Sequence, residues 1–119
     1  MADNELNEHG PAVLALVRDL MFAARVRGAA PDARVVHGPA ALVETVGEGT
    51  RLVLVDLQAA GALEGIAGVR ERSPGVRLVA FGPHVMEDEL AAAEAAGAEA
   101  LPRGAFVKRL ATLVAEARG

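Results

Sequence analysis

The chain has 119 residues, 52% of them apolar and 24% charged, with a formal net charge of −4. That length fits one ordinary domain burying roughly two thirds of its unfolded surface, and the high apolar share excludes a disordered chain. With no Cys, Trp or Tyr but 26 Ala and 15 Val, the composition excludes disulfide frameworks, thiol nucleophiles and Cys-type zinc sites, and leaves a core of small and β-branched side chains.

Residues 1–11 read as a polar tail, because they lack an apolar period and end in the Gly10-Pro11 breaker. Their opening, MADNELNEHG, has neither the basic segment nor the apolar stretch of a signal peptide. Further along, Arg, Glu, Asp, Pro or His interrupts each apolar run before it reaches the roughly 18 residues of a membrane span. A cytoplasmic protein without a membrane partner is the expectation. The 12 basic residues are dispersed and no stacking aromatics accompany them, so nucleic acid is not an expected partner either.

From residue 12 to 119 the sequence predicts one domain in which short β-branched runs alternate with Ala-rich stretches of helical length. Val13–Val17 (VLALV) is followed by Asp19–Ala30, Arg34–Val36 by Pro39–Val46, and Leu52–Val55 (LVLV) by Leu63–Arg72. Val76–Phe81 (VRLVAF) is followed by Met86–Ala96, and the weak run Ala100–Leu101 by Gly104–Arg118. In the last stretch Phe106, Leu110, Leu113, Val114 and Ala117 fall on one helical face. Turn residues separate the units: Pro31-Asp32, Gly47 and Gly49, Ser73-Pro74-Gly75, and Gly97.

Alternation of this kind builds a three-layer, doubly wound (βα)5 fold, and near-continuous apolar strands suit a parallel sheet covered on both faces. Of the two common strand orders, the dinucleotide-binding one needs a G-x-G-x-x-G turn after strand 1. Here that turn reads Val17-Arg18-Asp19-Leu20, so the flavodoxin-like order 2-1-3-4-5 is predicted. In such sheets ligands gather at the carboxyl ends of the strands, which offer Asp19, Asp56, His84 and Arg103. Asp56 is the leading reactive carboxylate, although an Asp leaving a strand also serves to hold the N–H groups of the next turn. A hydrolase triad has no support, since the only serine, Ser73, sits at the opposite end of strand 4. His84 lacks partners for a metal site, because neither His9 nor His37 is placed to join it.

With this order of elements, VLVDL at strand 3, LVAFGPH at strand 4 and EAAGAEALPR before the last helix, the chain resembles a bacterial response-regulator receiver domain over about residues 12–118. The resemblance implies a phosphoryl acceptor at Asp56, served by Mg²⁺ on an acidic pair after strand 1, a Thr/Ser after strand 4 and a Lys after strand 5. Matched position by position, the acidic pair falls on Val17 and Arg18 or on Arg18 and Asp19, the hydroxyl on Gly82, and the lysine on Gly104 or Arg103. The only lysine, Lys108, lies inside the last helix. Loss of these groups removes most of the charge neutralisation that phosphoryl transfer needs.

The expectation is therefore a degenerate, non-enzymatic receiver-like module that binds a protein partner or a second copy of itself. It needs no cofactor, with a metal held by Asp19 and Asp56 if by anything. Arg18 and Arg103 read as solvated surface charges or, alternatively, as a metal-free cradle around Asp56. The resemblance puts the partner surface at Arg103, Phe106, Lys108 and Arg109. The alternatives are a working phospho-acceptor at Asp56 using Mg²⁺ and, more distantly, a small-ligand site at the strand ends.

Overall fold

The computed structural model describes residues 9–119. Its central sheet has five parallel strands: β1 (Val13–Leu16), β2 (Arg34–Val36), β3 (Leu52–Asp56), β4 (Arg77–Gly82) and β5 (Glu99–Pro102). Their order is β2-β1-β3-β4-β5. Five helices join them: α1 (Leu20–Ala29), α2 (Pro39–Thr45), α3 (Ala62–Arg72), α4 (Glu87–Ala95) and α5 (Arg103–Arg118). The sequence-predicted elements agree to within a residue or two at each end, and the strand order is the expected one.

Local chemistry explains the boundaries. Asp19 caps α1 by accepting the Phe22 N–H at 2.9 Å, and Pro31 follows the helix. Pro39 opens α2, where its missing N–H costs nothing. Three acids, Glu87, Asp88 and Glu89, fill the first turn of α4, where the helix dipole favours negative charge. The chain enters α3 through Gly61 at φ +73°, where an added Cβ would also come within 2.6 Å of the Pro39 ring.

Strands β1 and β3 are buried along their whole length, as a two-sided sheet requires. Their alternate side chains feed two cores. Leu14, Leu16, Val53 and Val55 pack with Leu42 of α2, Ile66 and Val69 of α3 and Ala93 of α4. Val13, Ala15, Leu52 and Leu54 pack on the other face with α1 and α5. All three phenylalanines of the chain meet in this second core. Phe81 and Phe106 stack with ring centroids 3.9 Å apart, and Phe22 lies 5.1 Å from Phe81.

Polar ties close the periphery. Arg70 of α3 donates to the carbonyls of Pro74, Val76 and Gly97, joining the turns that enter β4 and β5. Arg77 pairs with Glu99 and Glu116 at 3.1 and 2.7 Å. Arg118, in the last turn of α5, bonds to Asp32 and so holds the Asp32 carboxyl below its ordinary pKa. That small, solvent-screened contribution is present above the ordinary carboxyl pKa and is lost as pH falls through the lowered one.

Of the stretch read as a polar tail, only residues 9–11 are described. Residues 1–8 lie outside the described residues, but His9 to Pro11 already belong to the packed domain. Gly49 donates its N–H to the His9 carbonyl, and Gly10, at φ +79°, lies so close to Gly47 and Thr50 that a Cβ would approach within 2.7 Å of each. The Gly10-Pro11 pair marks a tight approach, which looks the same in sequence as a chain break. Among the described residues, no helix is long and apolar enough to cross a membrane.

Phe106→Ala, which removes the fully buried ring stacked on Phe81, is expected to cost about 3–5 kcal/mol of unfolding free energy. Lys108→Ala, two residues along on the exposed side of α5, should stay within about 0.5 kcal/mol of the parent in the same urea titrations.

Candidate functional site

Asp56 is the last residue of β3 and pairs in register with Phe81 of β4. Two residues on from Leu54, it projects on the same side of the sheet as that leucine, toward α1 and α5. It is only 1% exposed and, with Thr50, is one of two buried polar residues among those described. A buried carboxylate is costly unless hydrogen bonds replace its hydration, and here both oxygens are engaged. Oδ2 accepts the backbone N–H of Arg18 at 3.0 Å, and Oδ1 accepts the N–H of Gln58 at 2.9 Å.

The bond to Gln58, two residues on, closes an Asx turn at the strand end, which is the local role that an Asp leaving a strand announces. The bond to Arg18 spans 38 residues of sequence. It forms because β1 and β3 run side by side in register, Leu16 beside Val55, so the chain leaving β1 passes the end of β3. One carboxylate thus holds the loops after both strands.

The other sequence candidates surround this carboxylate without joining it. Asp19 spends Oδ1 on the Phe22 N–H as the cap of α1, and its side chain is exposed. The alternative cradle of Arg18 and Arg103 does not form around Asp56. Arg18 contributes its backbone N–H while the residue is exposed, and among the described residues Asp56 enters no ion pair. The guanidinium of Arg103 donates instead to the side-chain oxygen of Gln58, with its carbon 5.1 Å from the centre of the Phe22 ring. Phe22 and Gln58 together give Arg103 an aromatic face and a neutral acceptor, so it is held over the loop beyond Asp56.

Arg103 begins α5 directly after β5 and so occupies the position after strand 5, whereas a Cβ on the next residue, Gly104, would touch nothing within 4 Å. Gly82 ends β4. A Cβ there would make ordinary contacts with Leu57 at 3.4 Å and with the Met86 sulfur at 3.5 Å, so a small side chain would fit where the chain has none. His84 is exposed in the following loop. Among the described residues no three His, Cys, Asp or Glu side chains gather in a metal-binding group. The residues fit a divalent cation poorly: Asp56 already serves two N–H donors, Asp19 is turned to its helix, and hard cations require several oxygen ligands.

Phe106, expected on the partner surface, is fully buried against Phe81. As the first large residue of the apolar stripe of α5 it belongs to the core, so that assignment is corrected. Lys108 and Arg109 are exposed. Gln58 and Phe22 were not singled out by the sequence, although Gln58 carries a readable signal, standing two residues after an Asp at a strand end. A cavity of about 610 Å³ lies at the amino ends of β1 and β2 and is lined by residues including Asp32, Arg34 and Glu44. It is at the opposite end of the sheet from Asp56.

Comparison with solved structures identifies the same architecture in response regulators. NtrX from Brucella abortus, solved in complex with ADP, aligns over 91% of this chain at TM-score 0.72 and 18% identity, this chain spanning 27% of that one. The isolated receiver domain of NtrX from the same organism gives TM-score 0.70 at 19% identity over 88% of this chain and 96% of its own. A response regulator from Thermotoga maritima gives 0.67 at 20% identity over 91% and 97%. A scan of protein-family models and a search of curated proteins give no match. The fold is that of a receiver domain.

If Asp56 ties the two loops, Asp56→Asn must point an amide N–H₂ at one of two backbone donors. It should lower stability by about 1–3 kcal/mol in urea unfolding. Unchanged or increased stability would show that the two bonds are dispensable.

Proposed function

We propose that this chain is a receiver-like signalling module of the cytoplasm that acts by binding another protein or a second copy of itself, without Mg²⁺-dependent phosphoryl transfer at Asp56. The observation that carries this reading is the state of the acceptor. An in-line displacement needs a carboxylate oxygen open to the incoming phosphorus and cations to neutralise the equatorial oxygens. Asp56 is instead buried, with one oxygen on the Arg18 N–H and the other on the Gln58 N–H.

The surroundings support the same reading. Of the groups that would share the developing charge, the acidic pair is reduced to Asp19, a helix cap. The hydroxyl position is Gly82, and the cation after β5, Arg103, is committed to Gln58 and Phe22. What remains is a stable frame whose exposed helices are free for contact. On α5, Arg109 and the lone lysine, Lys108, are exposed and form no ion pair among the described residues. They are the partner-facing residues on this reading, with Arg103 at their inner edge.

One observation favours a second reading. Asp56 keeps the place of an acceptor, at the carboxyl end of a central strand, and a phosphodonor able to open the Arg18 and Gln58 bonds would make it a working switch. Incubation with acetyl phosphate and Mg²⁺, followed by intact-mass measurement, separates the two. The proposed function expects no phosphate adduct under conditions that modify a receiver with the full set of residues. A stoichiometric adduct that disappears in Asp56→Ala would establish the second reading.

A further inference from the structure

The described surface carries three exposed large apolar side chains, and two are neighbours at the start of α1: Leu20 is 81% exposed and Met21 72%. Contiguous exposed apolar surface is what contact sites are built from, whereas singly scattered apolar side chains are ordinary. On a helical projection Leu20 and Met21 continue along the outer face of α1 into Ala24 and Gly28, all exposed. A Cβ at Gly28 would touch nothing within 4 Å. Arg27 and Arg25 flank this stripe on its two sides, and α1 contains no acidic residue.

Helix α4 presents the complement. The centre of its outer face is Ala91 and Ala95, both exposed, bordered by exposed Glu87, Asp88 and Glu94, and α4 has no basic residue. None of these acids, nor Arg25 or Arg27, forms an ion pair among the described residues. We propose that the Leu20–Met21 face of α1 docks on the outer face of α4 of a second copy of this chain.

The spacing fits an antiparallel arrangement, which also aligns the helix dipoles favourably. With Met21 seated over Ala91 and Ala95, the arginines lie about 6–9 Å further along α1, at roughly 1.5 Å per residue. Glu87 and Asp88 lie a similar distance back along α4. Large side chains on one helix then meet alanines on the other while opposite charges face each other at the rim. Pairing α1 with α1 of a second copy would instead bring Arg25 and Arg27 together without a compensating acid. Within one molecule the two surfaces cannot meet, because α1 and α4 pack on opposite faces of the sheet. The contact is therefore head to tail, and copies add in series. Two helices of ten and nine residues bury less than a standard interface, so the association is weak and salt-sensitive.

This inference rests on the reading of the chain as a contact module and names the occupant of one face. Its test is sedimentation velocity of the full chain over rising concentration at low salt. The weight-average mass should grow past about twice that of the monomer and return to the monomer near 0.5 M NaCl. Arg25→Glu/Arg27→Glu and Glu87→Lys/Asp88→Lys should each be monomeric alone, and their equimolar mixture should regain the mass growth, since each then supplies the charge the other lacks. A parent that stays monomeric at low salt, a mixture that stays monomeric, or growth that stops at a dimer unaffected by either double variant would each overturn the proposal. So would loss of the protein onto anionic phosphatidylserine vesicles in a manner abolished by the arginine variant while self-association is absent. None of these results bears on whether Asp56 takes a phosphoryl group, so failure here is distinguishable from failure of the broader reading.

Discussion

A carboxylate with almost no access to water stands at the end of the central strand, and the local structure is arranged around satisfying it. Asp56 loses its hydration on folding and recovers it from two backbone N–H groups, one local and one from the loop after β1. The geometry requires β1 and β3 to be adjacent, parallel and in register. It also directs the entry to α1, because the chain that donates the Arg18 N–H turns at once into the Asp19 cap. A residue type that looks reactive in a strand-end position thus has a structural task as well, with both oxygens accepting backbone N–H groups.

Arg103 shows how neighbouring parts follow. A guanidinium placed after β5 could neutralise Asp56 directly, but a buried ion pair is favourable only with excellent geometry and further hydrogen bonds. Here the carboxylate is already satisfied, and Arg103 finds the Phe22 ring and the Gln58 side chain. The result couples the start of α5 to α1 and to the β3–α3 loop through neutral and aromatic contacts. Below it the three phenylalanines stack, so the chain's whole aromatic content lies on the face of the sheet that carries α1 and α5.

Much of this was legible in the sequence. Alternating apolar runs and Ala-rich stretches set the element order, and the absence of a glycine turn after strand 1 selected the strand order, because both are local signals of period and turn chemistry. The Asx turn at Asp56 was legible for the same reason. Contacts between distant segments were not. Nothing near Arg18 announces that its backbone, 38 positions from Asp56, supplies a bond, and nothing near Arg103 names Gln58, 45 positions away, as its acceptor. Phe106 illustrates a conflict between two signals: its place on the apolar stripe of α5 required burial, and a resemblance placed it on a contact surface. Packing decided for the stripe. Glycine was ambiguous too, since Gly10 reads as a break but marks a close approach.

Both oxygens of Asp56 are occupied by the Arg18 and Gln58 amides. The most direct measurement is the amide resonances of those two residues in a ¹⁵N-labelled sample titrated with Mg²⁺ and then beryllofluoride, a mimic of the phosphoryl group. If Asp56 is a structural tie, both amides are protected from exchange and keep their chemical shifts throughout the titration. Rapid exchange of both amides in the free protein, or saturable shifts of both on adding Mg²⁺ and beryllofluoride, would contradict it.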